Sequence, residues 1–296
     1  MRTFSRHFGA AVLAVVVWLG PSSARAQSSA EIPPVSCEHL TRPEPKESIY
    51  VVRINLRDPR VTARVARGGP PTNAPTYWPT SLRPTSEIAA REHFDVAING
   101  DFFDAQNTKD KEGRKTGYIR GKAATPVGTA MTDGELWHRP TAIRPVLELL
   151  NGGRARLAEL GPATPVDAEA RQIMGGGQII LRGGQWVPSN AKFTNQRHPR
   201  TAVGLDASGT QLTLVVVDGR RTNYSVGMTL PELAEQMKQL HCDSAINLDG
   251  GGSSTLVYRA GSAGKLKVLN SPSDTKERSV ADVLGFVVAA PLPEPR

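Results

Sequence analysis

The sequence predicts an α/β domain with an α+β tendency: a single unit whose mixed β-sheet core is flanked by helices. Three observations lead there. Residues 212–217 and 283–290 are apolar on successive positions, as in strands covered on both faces. Helix-like stretches at 85–94 and after Thr229 each run into a short strand, the alternation expected of helix-connected sheets. The two units also echo one another, His241-x-Asp243-x-Ala245-Ile246-Asn247-x-Asp249 repeating His93-x-Asp95-x-Ala97-Ile98-Asn99-x-Asp101.

Residues 1–26 read as a secretory signal. Arg2 and Arg6 supply the charged start, residues 10–19 an apolar stretch too short to span a bilayer, and Ala24-Arg25-Ala26 a small-x-small cleavage pattern. The mature chain is therefore expected to be periplasmic or secreted, with no membrane span. Residues 27–47, rich in Ser, Pro and Glu, suit a linker or lead-in. Alternation over 48–65 predicts a hairpin turning at Asp58-Pro59, and the Pro- and Thr-rich stretch 68–84 a long loop. Residues 85–94 form a helix capped by Thr85 or Ser86 and lead into a strand at 95–98. Polar, basic residues 104–123 make a surface excursion.

Strands follow at 143–150, 154–160 and 179–181, and Gly175-Gly176-Gly177 is equally a bulge or a close backbone approach. After strands at 201–205 and 212–217, Thr229-x-x-Glu232 is a capping box. It opens a helix with Leu230, Leu233, Ala234, Met237 and Leu240 on one face. Residues 283–290 are the last strand and 291–296 a frayed tail. No linker divides 48–290, so this stretch is read as one domain.

The formal net charge of +8 is spread along the chain without a Lys/Arg block. Nucleic acid is thereby excluded as a partner class, while an anionic small substrate is compatible. Cys37 and Cys242 are an even pair behind an export signal, and a disulfide between them is expected, two buried thiols being the other reading.

The densest chemistry lies in Asn247-Leu248-Asp249-Gly250-Gly251-Gly252-Ser253-Ser254-Thr255, where an apolar strand runs into side-chain-free residues. Such a loop exposes backbone N–H groups to an anionic or hydroxylated ligand, with Asp249, Ser253 and Ser254 at its rim. If the echoed strands are neighbours, Asn99, Asp101, Asn247 and Asp249 emerge at one edge and two carboxylates share a cleft. Arg200, Asp218 with Arg220, and Glu277-Arg278 fall at further strand ends. Carboxylates, arginines and exposed backbone together suit a sugar bearing a phosphate. There is no G-x-x-x-x-G-K-[ST] phosphate loop and no G-x-S-x-G elbow.

Asn99-Gly100-Asp101-Phe102-Phe103, Arg200-Thr201-Ala202, Val217-Asp218-Gly219-Arg220, the 247–255 block, and Asn270-Ser271-Pro272-Ser273-Asp274 with Glu277-Arg278 resemble, in order, the motifs of the phosphodiester glycosidase family. The resemblance covers residues 48–290 and implies hydrolysis of the glycosidic bond of a sugar-1-phosphodiester. On this reading Asp249, Asp101 and Asp218 are catalytic, Asp249 or Asp101 being the nucleophile or the base that activates water; Arg200, Arg278 and the N–H groups of Gly250, Gly251 and Gly252 hold the phosphate, and Asn99, Asn247, Ser253, Ser254 and Glu277 complete the substrate-binding set. The expected partner is a sugar phosphodiester or phospho-polysaccharide, as in exopolysaccharide or the cell envelope. No cofactor is required on this reading. Two rivals are a non-catalytic phospho-sugar or polysaccharide binding protein, and a hydrolase using Asp101, Asp218 and Asp249 on calcium or magnesium.

Overall fold

Why the long apolar strands carry no polar face becomes clear from what covers them. A computed structural model describes residues 33–73, 77–106, 117–191, 193–261 and 264–296; the signal-like segment lies outside them. A seven-stranded sheet runs, in spatial order, Val35–Pro43, Lys46–Asn55, Gln211–Val217, Arg200–Leu205, Ser244–Asn247, Gln178–Arg182, Gln185–Trp186. Leu212, Leu214 and Val216 point into a core shared with a five-stranded sheet of Lys267–Val268, Leu256–Tyr258, Val96–Asn99, Asp282–Val288 and Val61–Arg67. Val215 and Val217 point the other way, against Leu230, Leu233, Ala234 and Met237 of the helix Leu230–Gln239. The second sheet is covered likewise, Ala97, Val257 and Val283 packing with Ile88 and Ala89 of the helix Thr85–Arg91. Both sheets are thus buried on both faces, which yields continuous apolar strands in an antiparallel protein.

This overturns the α/β expectation. Strand predominates, the described residues hold two α-helices, and every strand pairing among them is antiparallel. The fold is β-rich, with its main core between two sheets. A third sheet, spatially Glu135–His138, Ala130–Thr132, Ala170–Gly175, Arg144–Leu150 and Arg154–Leu160, closes one side of that core with Leu147, Leu149 and Met174.

Four local readings change too. The 48–65 hairpin does not form, because its two arms join different sheets. Residues 35–43, read as lead-in, are the edge strand paired along its length with Lys46–Asn55. The tail is docked: Leu292 is buried, and Arg296 exchanges backbone hydrogen bonds with Cys37 and His39. The expected disulfide is absent; Cys37 and Cys242 are free and buried. Cys37 faces the intersheet core whereas Cys242 packs on the opposite, helix-covered face of the same sheet, so the sheet separates the thiols. The Thr229 capping box is present as expected, with both reciprocal hydrogen bonds.

Candidate functional site

Asn99 and Asn247 end strands of different sheets, yet their loops are stitched together. Asn99 Nδ2 donates to Asp249 O at 2.7 Å, and Asp249 N–H donates to Gly100 O at 3.1 Å. Asn99 Oδ1 accepts from Thr201 Oγ1 at 2.8 Å and from Thr255 N–H at 3.2 Å. Fully buried and bonded on both sides of its amide, Asn99 joins the sheets and fixes the Asp249 peptide. Asn247 is buried as well, but its Oδ1 has no hydrogen-bond partner.

Beneath Asp249 lie two buried carboxylates, Asp101 and Asp282. Asp101 Oδ1 accepts from Phe102 N–H at 2.7 Å and its Oδ2 from Gly128 N–H at 2.6 Å. Asp282 Oδ1 accepts from Asp101 N–H at 2.8 Å, while Asp282 Oδ2 has no partner. A Cβ at Gly175 would come within 2.3 Å of Asp101 Oδ2, so the second glycine run permits a close approach to this carboxylate. Burial, with Asp282 alongside, raises Asp101 well above the usual carboxylate range, and burial pushes Asp282 up to about 7.

Asp249 is only half-buried and is the carboxylate of the three that a ligand can reach. Burial pushes it up to about 6 against the opposing pull of Arg278, Gly250 N–H and Arg220. Ser253 Oγ approaches it without hydrogen-bond geometry. The glycine loop packs between these charges: a Cβ on Gly251, at φ +63°, would lie 2.8 Å from Arg220 Nη2. One on Gly252 would lie 2.0 Å from Asp274 Oδ2 and 2.3 Å from Arg278 Nη2. Arg278 is held by Asp274 at 2.8 Å and lies under the Tyr118 ring at 4.8 Å, whereas Arg220 stands 4.0 Å from Asp274. Gly250 N–H is bonded to Asp249 Oδ1 and Gly251 N–H to Pro199 O. Ser254 Oγ and Thr255 Oγ1 are buried and unpartnered.

Three expected site residues have their polar groups engaged elsewhere. Arg200 is buried and donates to the carbonyls of Met228, Phe193 and Gln196 at 2.8–2.9 Å, a clamp on two loops; burial and then Arg220 lower it to about 10. Glu277 accepts from Ser86 N–H and Ser86 Oγ, serving the first turn of the helix Thr85–Arg91, which lacks a side-chain cap of its own. Asp218 accepts from Asn270 Nδ2, Ser271 N–H and Tyr224 OH at 2.8–3.0 Å, and burial raises it. Asn270 passes this on to Ser254 O and Leu256 N–H, so Asp218 braces the glycine loop from behind. With its oxygens so engaged, Asp218 does not complete a cation shell with Asp101 and Asp249. No group of three or more His, Cys, Asp or Glu among the described residues is arranged for a metal.

Sequence reasoning missed Asp282 and left Arg220 without a role. The signal for Asp282 was an acid opening an otherwise apolar strand.

The fold and site define a β-rich protein that sets a partly exposed carboxylate, Asp249, near Arg278 and Arg220 beside a glycine loop. A family model described as phosphodiester glycosidase matches residues 92–287, and the chain belongs to that family. It is 30% identical over 177 residues to the mouse N-acetylglucosamine-1-phosphodiester alpha-N-acetylglucosaminidase, an alignment covering 55% of this chain and 31% of the mouse protein. The chain thus spans about a third of that relative's length. Among solved structures, the zebrafish N-acetylglucosamine-1-phosphodiester alpha-N-acetylglucosaminidase catalytic domain, auto-inhibited by its pro-peptide, superposes with TM-score 0.63. It is 23% identical, over 86% of this chain and 84% of that one. A hypothetical protein from Synechocystis superposes with TM-score 0.61 at 17% identity, over 88% and 64%. No helix of the described residues is long and apolar enough to cross a membrane.

Proposed function

We propose that the protein hydrolyses the bond between an anomeric carbon and phosphate in a sugar-1-phosphodiester, acting outside the cytoplasm on envelope or exopolysaccharide phospho-sugars. The observation that carries this reading is Asp249, half-buried and raised to about 6, flanked on one glycine loop by Arg278 and Arg220. Arg278 and Arg220, on either side of the glycine loop, hold the phosphate. In the reaction the C1–O bond breaks and its electron pair leaves with the phosphomonoester. Water supplies the new C1–OH and its other proton passes to the departing phosphomonoester. A phosphate leaving group is a weak base and needs little protonation, so the work falls on stabilising positive charge at C1. Asp249 as the anion does this, being the one of the three neighbouring aspartates that is not fully buried.

A panel of sugar-1-phosphodiesters tests the reading. Free sugar plus a phosphomonoester is the expected product pair. Sugar 1-phosphate plus alcohol would mean cleavage at P–O and overturn it, as would no turnover across hexose and N-acetylhexosamine substrates.

A further inference from the structure

The buried pair below Asp249 is not explained by substrate contact. Asp282 is fully buried, and Asp101 is 1% exposed with both oxygens held by backbone N–H groups. Burial raises both acids, and those two bonds make Asp101 the member of the pair that ionises first while Asp282 keeps its proton. Asp282 has one oxygen bonded to Asp101 N–H and the other facing no donor. A carboxylate oxygen buried without a donor is costly when charged and much less so when it carries hydrogen.

We propose that Asp282 is a positioning residue for the hydrolysis proposed above, holding a proton on its unpartnered Oδ2 so that the pair places one negative charge, not two, beneath Asp249. The assignment rests on that reading of the site. The surrounding charges are consistent with it. Asp249 faces the pair from the glycine loop, with Arg278 and Arg220 beyond. Arg67, the register partner of Asp282 on the adjoining strand, sends its guanidinium to Glu135 at 2.9 Å. On the remaining sides stand the Gly128 backbone against Asp101 and the uncharged Met174 Sδ beside Gly100. No cation among the described residues is hydrogen-bonded or ion-paired to Asp282. Its proton neutralises it, and burial holds that proton toward neutral pH.

The working state is then Asp249 ionised with Asp282 protonated. As Asp282 ionises, its charge opposes the incoming phosphodiester and kcat/KM falls on the alkaline side. Asp282→Asn mimics the protonated acid, its Oδ1 still accepting Asp101 N–H. The expected result is an acid limb unmoved and an alkaline limb shifted up by at least one pH unit or gone. Asp282→Ala, which removes the acceptor, lowers kcat at least tenfold relative to Asp282→Asn. An Asp282→Asn profile that superposes on wild type, or moves equally on both limbs, overturns the proposal. Carbon-13 titration of aspartate carboxyls in wild type and in Asp282→Asn reads the proton without any substrate. The carboxyl that holds its proton into the neutral range in wild type should be missing from Asp282→Asn; its persistence in the variant would overturn the assignment. If no phosphodiester is turned over but this carboxyl is seen, the functional reading has failed and the proton assignment stands.

Discussion

At the scale of single residues, accessibility divides three neighbouring aspartates into different tasks. Asp249 alone reaches the cleft, and it must be ionised to stabilise positive charge at C1. Raised to about 6, it gains protons as the pH falls through that value. The acid limb of kcat/KM is therefore expected near pH 6 and not near 4. Asp249→Asn should lower turnover by at least about a hundredfold while the thermal midpoint at neutral pH stays or rises, because a buried charge is removed. Activity of Asp249→Asn close to wild type would reject the assignment. Arg200 gives the opposite expectation. Its three donors serve carbonyls, so Arg200→Lys should destabilise the protein by about 1–3 kcal/mol in urea unfolding, through loss of the planar fork. Arg278→Lys should instead raise KM for a phosphodiester. The Asn-x-Asp echo was legible because packing does not demand polar residues at strand ends. The roles of Arg200, Glu277 and Asn99 were not, since their partners are backbone groups or side chains far along the chain.

Among elements, the two glycine runs serve close packing more than flexibility. Gly252→Ala would drive a methyl group into the Asp274–Arg278 pair, both side chains at the surface of the cleft. These can swing away, so the expected result is loss of phosphodiester affinity with stability changed by less than about 1 kcal/mol. Gly204→Ala makes the contrast: its Cβ would lie 2.4 Å from Cys242 Sγ and 2.7 Å from Met237 Cε inside the helix-covered core. Overpacking there should cost about 1–3 kcal/mol without altering KM, checked by unfolding and kinetics side by side. Sequence patterning located most strands of the last third and the capped helix, because propensity, capping and length agree there. It could not assign strands to sheets. Burial on both faces removes the alternation that normally separates an antiparallel strand from a parallel one, and the short 48–65 connection mimics a hairpin while crossing between sheets.

For the molecule as a whole, the site sits where two sheets meet, so its buried acids are also stability determinants. Asp58, Asp167 and Glu87 are lowered by arginine and backbone hydrogen bonds, and their contribution is lost only as the pH falls through the acid range. Asp282 and Asp249 act in the other direction. The unfolded chain releases their protons near pH 4, whereas the folded protein holds them to about 7 and about 6. Between those values the native state binds more protons than the unfolded one, so stability falls as the pH rises. At about 1.4 kcal/mol for each pH unit over which a proton is retained, the two groups together give a loss on the order of a few kcal/mol between pH 5 and 8. Asp282→Asn carries no ionisable group at that position, so its unfolding free energy should decline less over the same interval and exceed that of wild type at pH 8. Urea unfolding at pH 5 and pH 8 distinguishes the outcomes. Parallel declines in the two proteins would mean that Asp282 does not retain its proton in the fold, and that the charge beneath Asp249 is balanced in some other way.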